Sequence, residues 1–253
     1  MHVNECRFKL PETDDKYNQL ARLQNYFKYN FNLTPIMGAE IEFYIYKITD
    51  IEAFSAKIGY EVKLEKGRNQ YEINFFPTSN LVELAREIAA ARNKIIETAA
   101  SSGGAADFRS KPYKDDYGSS MQFHLNFLED NDIEKYIQIL CKYVNKYLDY
   151  FLPETEDYKR LDERFTAPTH IAWGGNNRTV LIRIPNSLPR RLEHRLAGAN
   201  ADPAAVIFAV LDSVKCGLTD DDKEIFYLPK IYGNAFDAQY KLQKIEKNNI
   251  KPQ

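Results

Sequence analysis

Cysteine is scarce in this chain, and no segment is long and apolar enough to cross a membrane. The three cysteines, Cys6, Cys141 and Cys216, are odd in number and lack metal-ligand spacing. No run approaches the roughly 20 apolar residues that a spanning helix needs. The first residues, MHVNECRFKLPETDDKYNQL, contain no apolar stretch of the kind found in a secretory signal. These absences predict a cytoplasmic protein without a membrane partner.

The chain also lacks an excess of charge of one sign. Its 34 Lys and Arg nearly balance its 36 Asp and Glu, so no general attraction to nucleic acid or anionic membranes is expected. Internal repeats and low-complexity segments are absent as well. The hydrophobic content of 44% is ample for a core, and 253 residues suit one large domain or two small ones. Any functional charge must therefore be concentrated locally.

What is present is a set of alternating strands separated by long helical segments. Apolar and polar residues alternate in MGAEIEFYIY (37–46), QYEINFF (70–76), MQFHLNF (121–127), TVLIRIP (179–185) and RRLEHRL (190–196). Helical patterns cover residues 14–31, 78–100, 132–152 and 202–218. Thr78 or Ser79 is the expected N-cap of the second helix, and Asp202 followed by Pro203 begins the last. The pattern predicts an α+β fold, an antiparallel sheet backed by helices on its apolar face.

The polar face of this sheet, which we expect to be exposed, collects carboxylates and arginines. Glu40 and Glu42 share one strand phase, and Glu72 and His124 lie in the matching phase of two other strands. Arg191, Glu193 and Arg195 do so in the last strand. One interpretation is a solvated sheet with cross-strand salt bridges, each contributing about 0–1 kcal/mol. The other is a site for a hard divalent cation such as Mg²⁺, with arginines for phosphate oxygens, as phosphoryl transfer requires.

Five motifs in chain order resemble those of glutamine synthetases. MGAEIEFYIY resembles the family's Gly-x-Glu-x-Glu-Phe strand, and NQYEINF resembles Gly-Gln-x-Glu. FRSKPYKDDYGSSMQFHLNF is similar to Phe-x-x-Lys-Pro followed by Gly-Ser-Gly-Met-His-x-His. YKRLDERFTAPTHIAWGGNNRTVLIRIP resembles the block that runs from Arg-Leu through Asn-Arg-Ser/Thr to Arg-Ile-Pro. RRLEHRLAGANADPAAVIFAVLDSVKCGL resembles Arg-Ile-Glu-x-Arg and the helix after it. The segment APTHIAWGGNNRT resembles the branch that ligates glutamate to amines or polyamines more closely than it resembles the ammonia-using branch.

The resemblance implies an ATP-dependent carboxylate–amine ligase. Such an enzyme phosphorylates the γ-carboxylate of glutamate and transfers it to ammonia or an amine. The implied cofactors are ATP and Mg²⁺ or Mn²⁺, bound in a funnel on a curved antiparallel sheet. The implied partners are glutamate and the amine.

Site residues follow from the matching motif positions. The resemblance implies one metal site at Glu42, Glu65 and Glu72, and a second at Glu40, Gln122 and Glu193. Catalytic roles are implied for Arg178, Arg183 and Arg195. Glutamate contacts are implied for Arg160, Gly118 and Arg195, and ATP contacts for His124, Arg183 and Arg191. For Glu65, together with nearby Glu61, a solvated charge run is the alternative.

Three departures from the family pattern bear on activity. Gln122 replaces a metal-binding histidine, and an amide oxygen is a neutral ligand. Thr166 stands where ammonia-using members carry a glutamate base, a role that threonine cannot fill. A helical extension, residues 1–36, precedes the catalytic domain at 37–253, where family chains carry a small β-grasp domain that completes a neighbouring subunit's site.

These departures leave several functions open. A homo-oligomer or a partner chain could supply the missing domain, or the site could be open. Alternatively, the chain is a catalytically impaired paralogue that acts as a nucleotide-binding or regulatory subunit. A transferase that phosphorylates a carboxylate or guanidino group on the same sheet is a further alternative.

Overall fold

A computed structural model describes residues 15–220 and 226–247. Cys6 and the first part of the predicted helical extension lie outside these ranges. Within them, no helix combines the length and apolar character needed to cross a membrane.

The described residues contain eight strands, which form one sheet. They are β1 (Pro35–Tyr46), β2 (Lys63–Leu64), β3 (Gln70–Thr78), β4 (Ala105–Asp107), β5 (Met121–Phe127), β6 (His170–Gly174), β7 (Val180–Arg183) and β8 (Leu192–His194). Their order is β2-β3-β1-β5-β8-β7-β6, with β4 paired to the end of β1. These strands pair antiparallel, apart from β6 with β7, which are parallel. The predicted antiparallel sheet is therefore confirmed, with one parallel pair at its edge.

Helices cover the apolar face of the sheet. They are α1 (Asp15–Tyr26), α2 (Ile51–Ile58), α3 (Leu81–Ser101), α4 (Ile133–Tyr143), α5 (Leu148–Phe151) and α6 (Pro203–Thr219). The last helix, α6, packs against α1, α3 and α4, and α3 in turn packs on β1 and β3. Residues from all of these elements join one hydrophobic core, in which Phe43, Ile73 and Phe123 project from the sheet. The opposite faces of the same strands are left for polar residues.

Helix ends differ in detail from the sequence predictions. Asp202 caps α6 as expected, because its carboxylate accepts hydrogen bonds from the backbone N–H groups of Ala204 and Ala205. The predicted cap of α3 at Thr78 or Ser79 is wrong, since the strand extends to Thr78 and Asn80 accepts the hydrogen bond from the N–H of Glu83.

Two long helical predictions are interrupted. The segment predicted as one helix over 132–152 consists of α4, a 3₁₀ turn at Val144–Lys146 and α5. After this turn the Tyr147 hydroxyl donates to the buried carboxylate of Asp212 in α6 at 2.7 Å. The opening helix ends at Tyr26 and continues as a π turn over Phe27–Phe31.

Candidate functional site

The strand register determines which polar side chains become neighbours. Directly opposed residues of antiparallel strands project from the same face of a sheet. The opposed pairs are Glu42 with Glu72, Glu40 with Gln122, His124 with Glu193, and Glu193 with Arg183. Two groups result. We call Glu42, Glu65 and Glu72 the carboxylate cluster, and Arg183, Glu193 and Arg195 the arginine–glutamate network.

The carboxylate cluster brings three acids to one point. One carboxylate oxygen from each of Glu42, Glu65 and Glu72 lies within 4.8 Å of the other two. Glu42 and Glu72 come from the adjacent strands β1 and β3. Glu65 is positioned by the short β2–β3 hairpin, where its N–H donates to the carbonyl of Gln70 at 2.9 Å. Three converging carboxylate oxygens are the donor set that a hard divalent cation prefers.

The protein relieves the charge repulsion within the cluster only in part, through the hydrogen bonds of Ser120 and Asn74 and the charge of Arg160. Burial raises the pKa of the Glu42 carboxyl, and the nearby charge of Glu65 adds to the shift. Burial, together with the charges of Glu40 and Glu42, raises the pKa of Glu72 to about 8. A carboxyl in this position stays protonated at neutral pH unless a cation joins the group. The electrostatics of the cluster therefore favour the binding of a cation.

Gln122 connects the carboxylate cluster with the arginine–glutamate network. Its amide nitrogen donates to the Glu42 carboxylate and to the Ser120 hydroxyl, both at 3.0 Å. Its amide oxygen accepts a hydrogen bond from Nη1 of Arg195 at 2.7 Å. The backbone N–H of Ser120 also donates to Glu42, at 2.7 Å. These bonds fix Glu42 and orient the Gln122 amide.

In the arginine–glutamate network, the protein itself neutralises the acid. Glu193 is fully buried and accepts hydrogen bonds from Nε of Arg183 on both oxygens at 3.0 Å. Nη2 of Arg183 and Nη1 of Arg195 also donate to it. Burial alone would raise the pKa of Glu193, but the charge of Arg195 and the bonds and charge of Arg183 outweigh it and hold that pKa below its ordinary value. Glu193 is therefore an ionised carboxylate with both oxygens occupied.

A hydrogen-bonded chain runs from Arg191 through His124 to Glu40. Nε of Arg191 donates to Nδ1 of His124 at 3.0 Å, and the other ring nitrogen lies 2.9 Å from Oε1 of Glu40. Arginine can only donate, so Nδ1 accepts, and the Nε2 proton points to the carboxylate. Burial tends to raise the pKa of Glu40, but the interactions with His124 and the charge of Arg183 together outweigh it, and the pKa is lowered.

Two buried arginines line the cleft next to the carboxylate cluster. Arg160 is 4% exposed and Arg195 is 6% exposed. Nη2 of Arg160 donates to the backbone carbonyl of Arg195 at 2.8 Å. Within the part of the chain that the structure describes, Nε of each arginine has no hydrogen-bond partner. Burial lowers the pKa of Arg160 to about 10, so its guanidinium is charged at neutral pH. An unmade hydrogen bond on a buried cation is costly, and an anionic ligand would supply it.

Gly118 allows the close approach of Arg160. A Cβ at this position would lie 2.2 Å from Cγ of Arg160 and 2.7 Å from the carbonyl oxygen of Ser110. The carbonyl of Gly118 accepts a hydrogen bond from Nε2 of Gln70 at 3.0 Å. Glycine is therefore required here by packing in the cleft wall.

The polar face is buried, so the prediction of an exposed face is wrong. Gln122 is 3% exposed, and Glu42 and Glu72 are 8% and 9% exposed. The cleft around them is also lined by Phe165, Thr166 and Ala167. Burial removes the alternative of a solvated sheet decorated with surface salt bridges.

The structure groups some of the predicted site residues and separates others. The first predicted metal set converges as the carboxylate cluster. The second set, Glu40, Gln122 and Glu193, does not present open donors together, because Arg195 occupies the Gln122 oxygen and both arginines occupy Glu193. Arg178 is exposed and lines the same cleft as Arg160. The roles assigned to all these residues remain predictions.

Sequence reasoning did not include three residues that hold the site together. Ser120 fixes Glu42 through its backbone N–H. Asn74 donates to Glu72 at 2.9 Å, and Asn176 accepts from Nη1 of Arg183 at 2.6 Å. Asn74 could have been found, because it lies two residues after Glu72 on the same strand face. Ser120 and Asn176 lie outside the regular strands, where no periodicity indicates them.

Comparisons with known proteins point to one family. The family model described as "Glutamine synthetase, catalytic domain" matches residues 48–248. Gamma-glutamylputrescine synthetase PuuA of Escherichia coli is 28% identical over 191 residues, which cover 69% of this chain and 40% of that protein. Glutamine synthetase of Halobacterium salinarum is 30% identical over 236 residues, which cover 83% of this chain and 50% of that protein. This chain therefore spans about half the length of these relatives or less.

Solved structures have the same fold. The cryo-EM structure of Plasmodium falciparum glutamine synthetase matches 82% of this chain and 56% of its own, with a TM-score of 0.69 and 16% sequence identity. An apo structure of GmaS matches 83% of this chain and 61% of its own, with a TM-score of 0.68 and 20% identity. At these identities the likeness establishes the architecture alone. The family model, which covers most of the chain, establishes the relationship, and the chain belongs to the glutamine synthetase catalytic-domain family.

Proposed function

We propose that the chain is the catalytic part of an ATP-dependent ligase that joins the γ-carboxylate of glutamate to ammonia or another amine. One observation carries the proposal. Glu42 and Glu65 of the carboxylate cluster line the same cleft as Arg160 and Arg195, two buried cations that each have an unmade hydrogen bond. A site whose carboxylates favour a cation and whose arginines favour an anion suits a substrate that brings carboxylate and phosphate oxygens together with a divalent cation. The relatives' names, a gamma-glutamylputrescine synthetase and glutamine synthetases, agree with such a product.

The carboxylate cluster fits a divalent cation. Its three oxygens are hard donors at a spacing that one ion can bridge, and the pKa of Glu72 is raised by burial and by the negative charges of Glu40 and Glu42. Mg²⁺ or Mn²⁺ bound there would supply positive charge to the phosphate oxygens of ATP. The protein's own task is to hold the three acids in place through the strand pairing and the Ser120 and Gln122 hydrogen bonds.

The arginines would each bind a different anionic group of the substrates. Arg160, at the Gly118 wall, would bind the α-carboxylate of glutamate. Arg195 would contact substrate and phosphate, and the exposed Arg178 would approach the transferring phosphoryl group from the rim of the cleft. Because the charge of the phosphoryl group is spread over its oxygens, fixed guanidinium groups stabilise it without any covalent step of their own. His124, Arg183 and Arg191 would contact the nucleotide.

The amine substrate would be chosen at the Phe165–Ala167 segment. Thr166 lies in the cleft with a left-handed backbone, φ 54°. Its hydroxyl does not accept a proton from an ammonium group near neutral pH, so the amine must arrive neutral or meet a base from elsewhere. We propose that a second copy or a partner chain completes this side of the site.

The direct test is ADP release with ATP, glutamate and a panel of amines, with Mg²⁺ or Mn²⁺, combined with mass spectrometry of the γ-glutamyl amide. Glu72→Gln removes one donor of the carboxylate cluster and should lower turnover at least about 100-fold. Glu61→Gln is the matched control, because it makes the same chemical change at a carboxylate whose side chain is 80% exposed. It should leave turnover unchanged. Absence of turnover with every amine, on an assembly whose mass is known from light scattering, would contradict the proposal.

A regulatory or nucleotide-binding subunit is the second candidate. It is favoured by the arginine–glutamate network, which closes off donors that the family pattern gives to a metal. In that case ATP with Mg²⁺ should raise the melting temperature, as any ligand specific to the folded state does, without ADP release. ADP release that depends on both glutamate and an amine would rule this candidate out.

A further inference from the structure

The position that family resemblance gives to a second metal ion is already filled by the protein. Glu193 is fully buried, and its two oxygens accept four hydrogen bonds from three nitrogen atoms, Nε and Nη2 of Arg183 and Nη1 of Arg195. A cation could reach this carboxylate only by displacing guanidinium groups that are themselves buried, with 8% and 6% of their residues' surface exposed. The acid is therefore not available as a ligand.

Gln122 is also unavailable, because its partners fix which end of its amide faces which way. The nitrogen end faces a carboxylate, Glu42, and the oxygen end faces a guanidinium, Arg195. A half-turn of the amide would place oxygen against carboxylate and nitrogen against guanidinium, so both bonds would be lost. Within this set, Glu40 alone has a partly exposed side chain, at 22%, and its hydrogen-bond partner is His124 rather than a guanidinium group.

The local charge also differs between the position of the second metal ion and the carboxylate cluster. Around Glu40 and Glu193 the structure places three guanidinium groups, two on Glu193 itself and that of Arg191 on His124. In the carboxylate cluster one oxygen from each of three acids lies within 4.8 Å of the other two, and Glu42 and Glu72 accept hydrogen bonds from the neutral groups of Ser120, Gln122 and Asn74. A divalent cation is therefore attracted to the carboxylate cluster and repelled by the guanidinium groups around Glu193.

We propose that the site binds one divalent cation, at the carboxylate cluster, and that Arg183 and Arg195 supply the positive charge where a second cation would lie. This inference rests on the proposed function, since the single cation is the Mg²⁺ or Mn²⁺ assigned there. Fixed guanidinium groups bring charge to the phosphate end of the cleft without requiring metal exchange. The number of metal ions is thereby set by the fold rather than by the metal concentration.

The test is a Mn²⁺ titration of the nucleotide-free protein. Binding is monitored by isothermal titration calorimetry and by the electron paramagnetic resonance signal of free Mn²⁺. Nucleotide is left out because it carries its own cation on its phosphates. The wild type should bind one equivalent. Glu72→Gln should weaken that binding about 10-fold or more, whereas Glu40→Gln should leave one equivalent with an affinity within about 3-fold of wild type. The two variants neutralise one carboxylate each, so they control for charge.

The outcomes separate this inference from the proposed function. Two equivalents in the wild type, with one lost in Glu40→Gln, would overturn the inference while leaving a metal-dependent ligase intact. No bound Mn²⁺ at all would overturn both the single-cation site and the proposed cofactor. Gln122→His provides an independent check, because Glu193 remains paired to both arginines and the stoichiometry should stay at one. A second equivalent in this variant would show that the glutamine, and not the guanidinium groups, closes the second position, and the inference would fail.

Discussion

The carboxylate cluster and the arginine–glutamate network lie on the same buried sheet face, yet their charges are handled in opposite ways. In the cluster, Glu42 and Glu72 oppose each other across a strand pair, and burial together with neighbouring carboxylates raises the pKa values of both. In the network, Glu193 is met by Arg183 and Arg195, and its pKa falls. Burial is similar in both, so the difference arises from the neighbours alone. Charge that the fold leaves uncompensated marks a place for a ligand, whereas charge that it compensates becomes part of the structure.

The largest effect is expected from removing the acid of the arginine–glutamate network. Glu193→Ala leaves two buried guanidinium groups without their shared carboxylate. Breaking a buried ion pair by removing one partner costs about 3–5 kcal/mol in the free energy of unfolding. Urea unfolding of the metal-free protein measures this loss. Glu40→Ala is the control, since this partly exposed acid accepts a single hydrogen bond from His124, and its removal should cost less than about 2 kcal/mol. Equal losses would mean that the network contributes no special stability.

The pH dependence should have opposite signs in the two groups. The pKa of Glu72 is raised to about 8, so the folded chain retains a proton that the unfolded chain releases above the ordinary glutamate pKa of 4.5. The stability present below that value is therefore lost as the pH rises toward 8, at up to about 1.4 kcal/mol per pH unit. For Glu193, whose pKa is lowered, stability is present above its unfolded value and is lost as the pH falls through the lower folded value.

Unfolding free energies measured in EDTA between pH 5 and pH 8 test the Glu72 part of this difference. The wild type should lose stability across this window, and Glu72→Gln should lose less, with the remaining loss coming from Glu42, whose pKa is also raised. Mg²⁺ at about 100 times its dissociation constant should add about 2.7 kcal/mol to the wild type by mass action. A wild-type profile that is flat in EDTA and unchanged by Mg²⁺ would mean that the cluster carries no uncompensated charge.

A smaller loss of stability is expected from a change at Gly118, in the wall of the cleft. Gly118→Ala introduces a Cβ that would lie 2.2 Å from Cγ of Arg160, so the arginine must move. Overpacking of this kind costs about 1–3 kcal/mol. It should also raise the KM for glutamate, if Arg160 binds the α-carboxylate. Gly175→Ala is the matched control, because its added Cβ would meet only the end of Lys230, at 3.7 Å. If the two variants have the same KM, Arg160 does not contact the substrate.

Much of the fold was accessible from the sequence because its strands have one apolar face and one polar face. Alternation located β1, β3 and β5, and a capping pair, Asp202 with Pro203, located the start of α6. The segments that escaped prediction are short or fully buried. The strand β6 is an apolar run at a parallel edge, and such runs lack alternation. The helix α2 is short, although its cap Asp50 and the left-handed Gly59 after it are both visible in the sequence.

The site was predictable only in part, for a physical reason. Alternation assigns a residue to a face, and it therefore brought Glu42 and Glu72 together correctly. It says nothing about which neighbour a side chain selects on that face. The pairing of Glu193 with two arginines, and the occupation of the Gln122 oxygen, depend on rotamers and on burial by connecting segments. The expected exposed face consequently proved to be a buried cleft.

The smallest effect concerns the chain that links the network side of the cleft to Glu40. Arg191→Lys removes the Nε donor that lies 3.0 Å from Nδ1 of His124. Because Arg191 is only partly buried, the free energy of unfolding should change by less than about 1 kcal/mol. The imidazole should respond more than the stability, since Nδ1 loses the donor that fixes its tautomer. Nitrogen-15 NMR of the wild type should report a proton on Nε2 of His124, and the variant should show a mixture of both tautomers. Arg190→Lys, at an exposed position that faces Glu134, is the control and should leave the spectrum of His124 unchanged. An unaltered tautomer in Arg191→Lys would mean that Glu40 alone orients the ring.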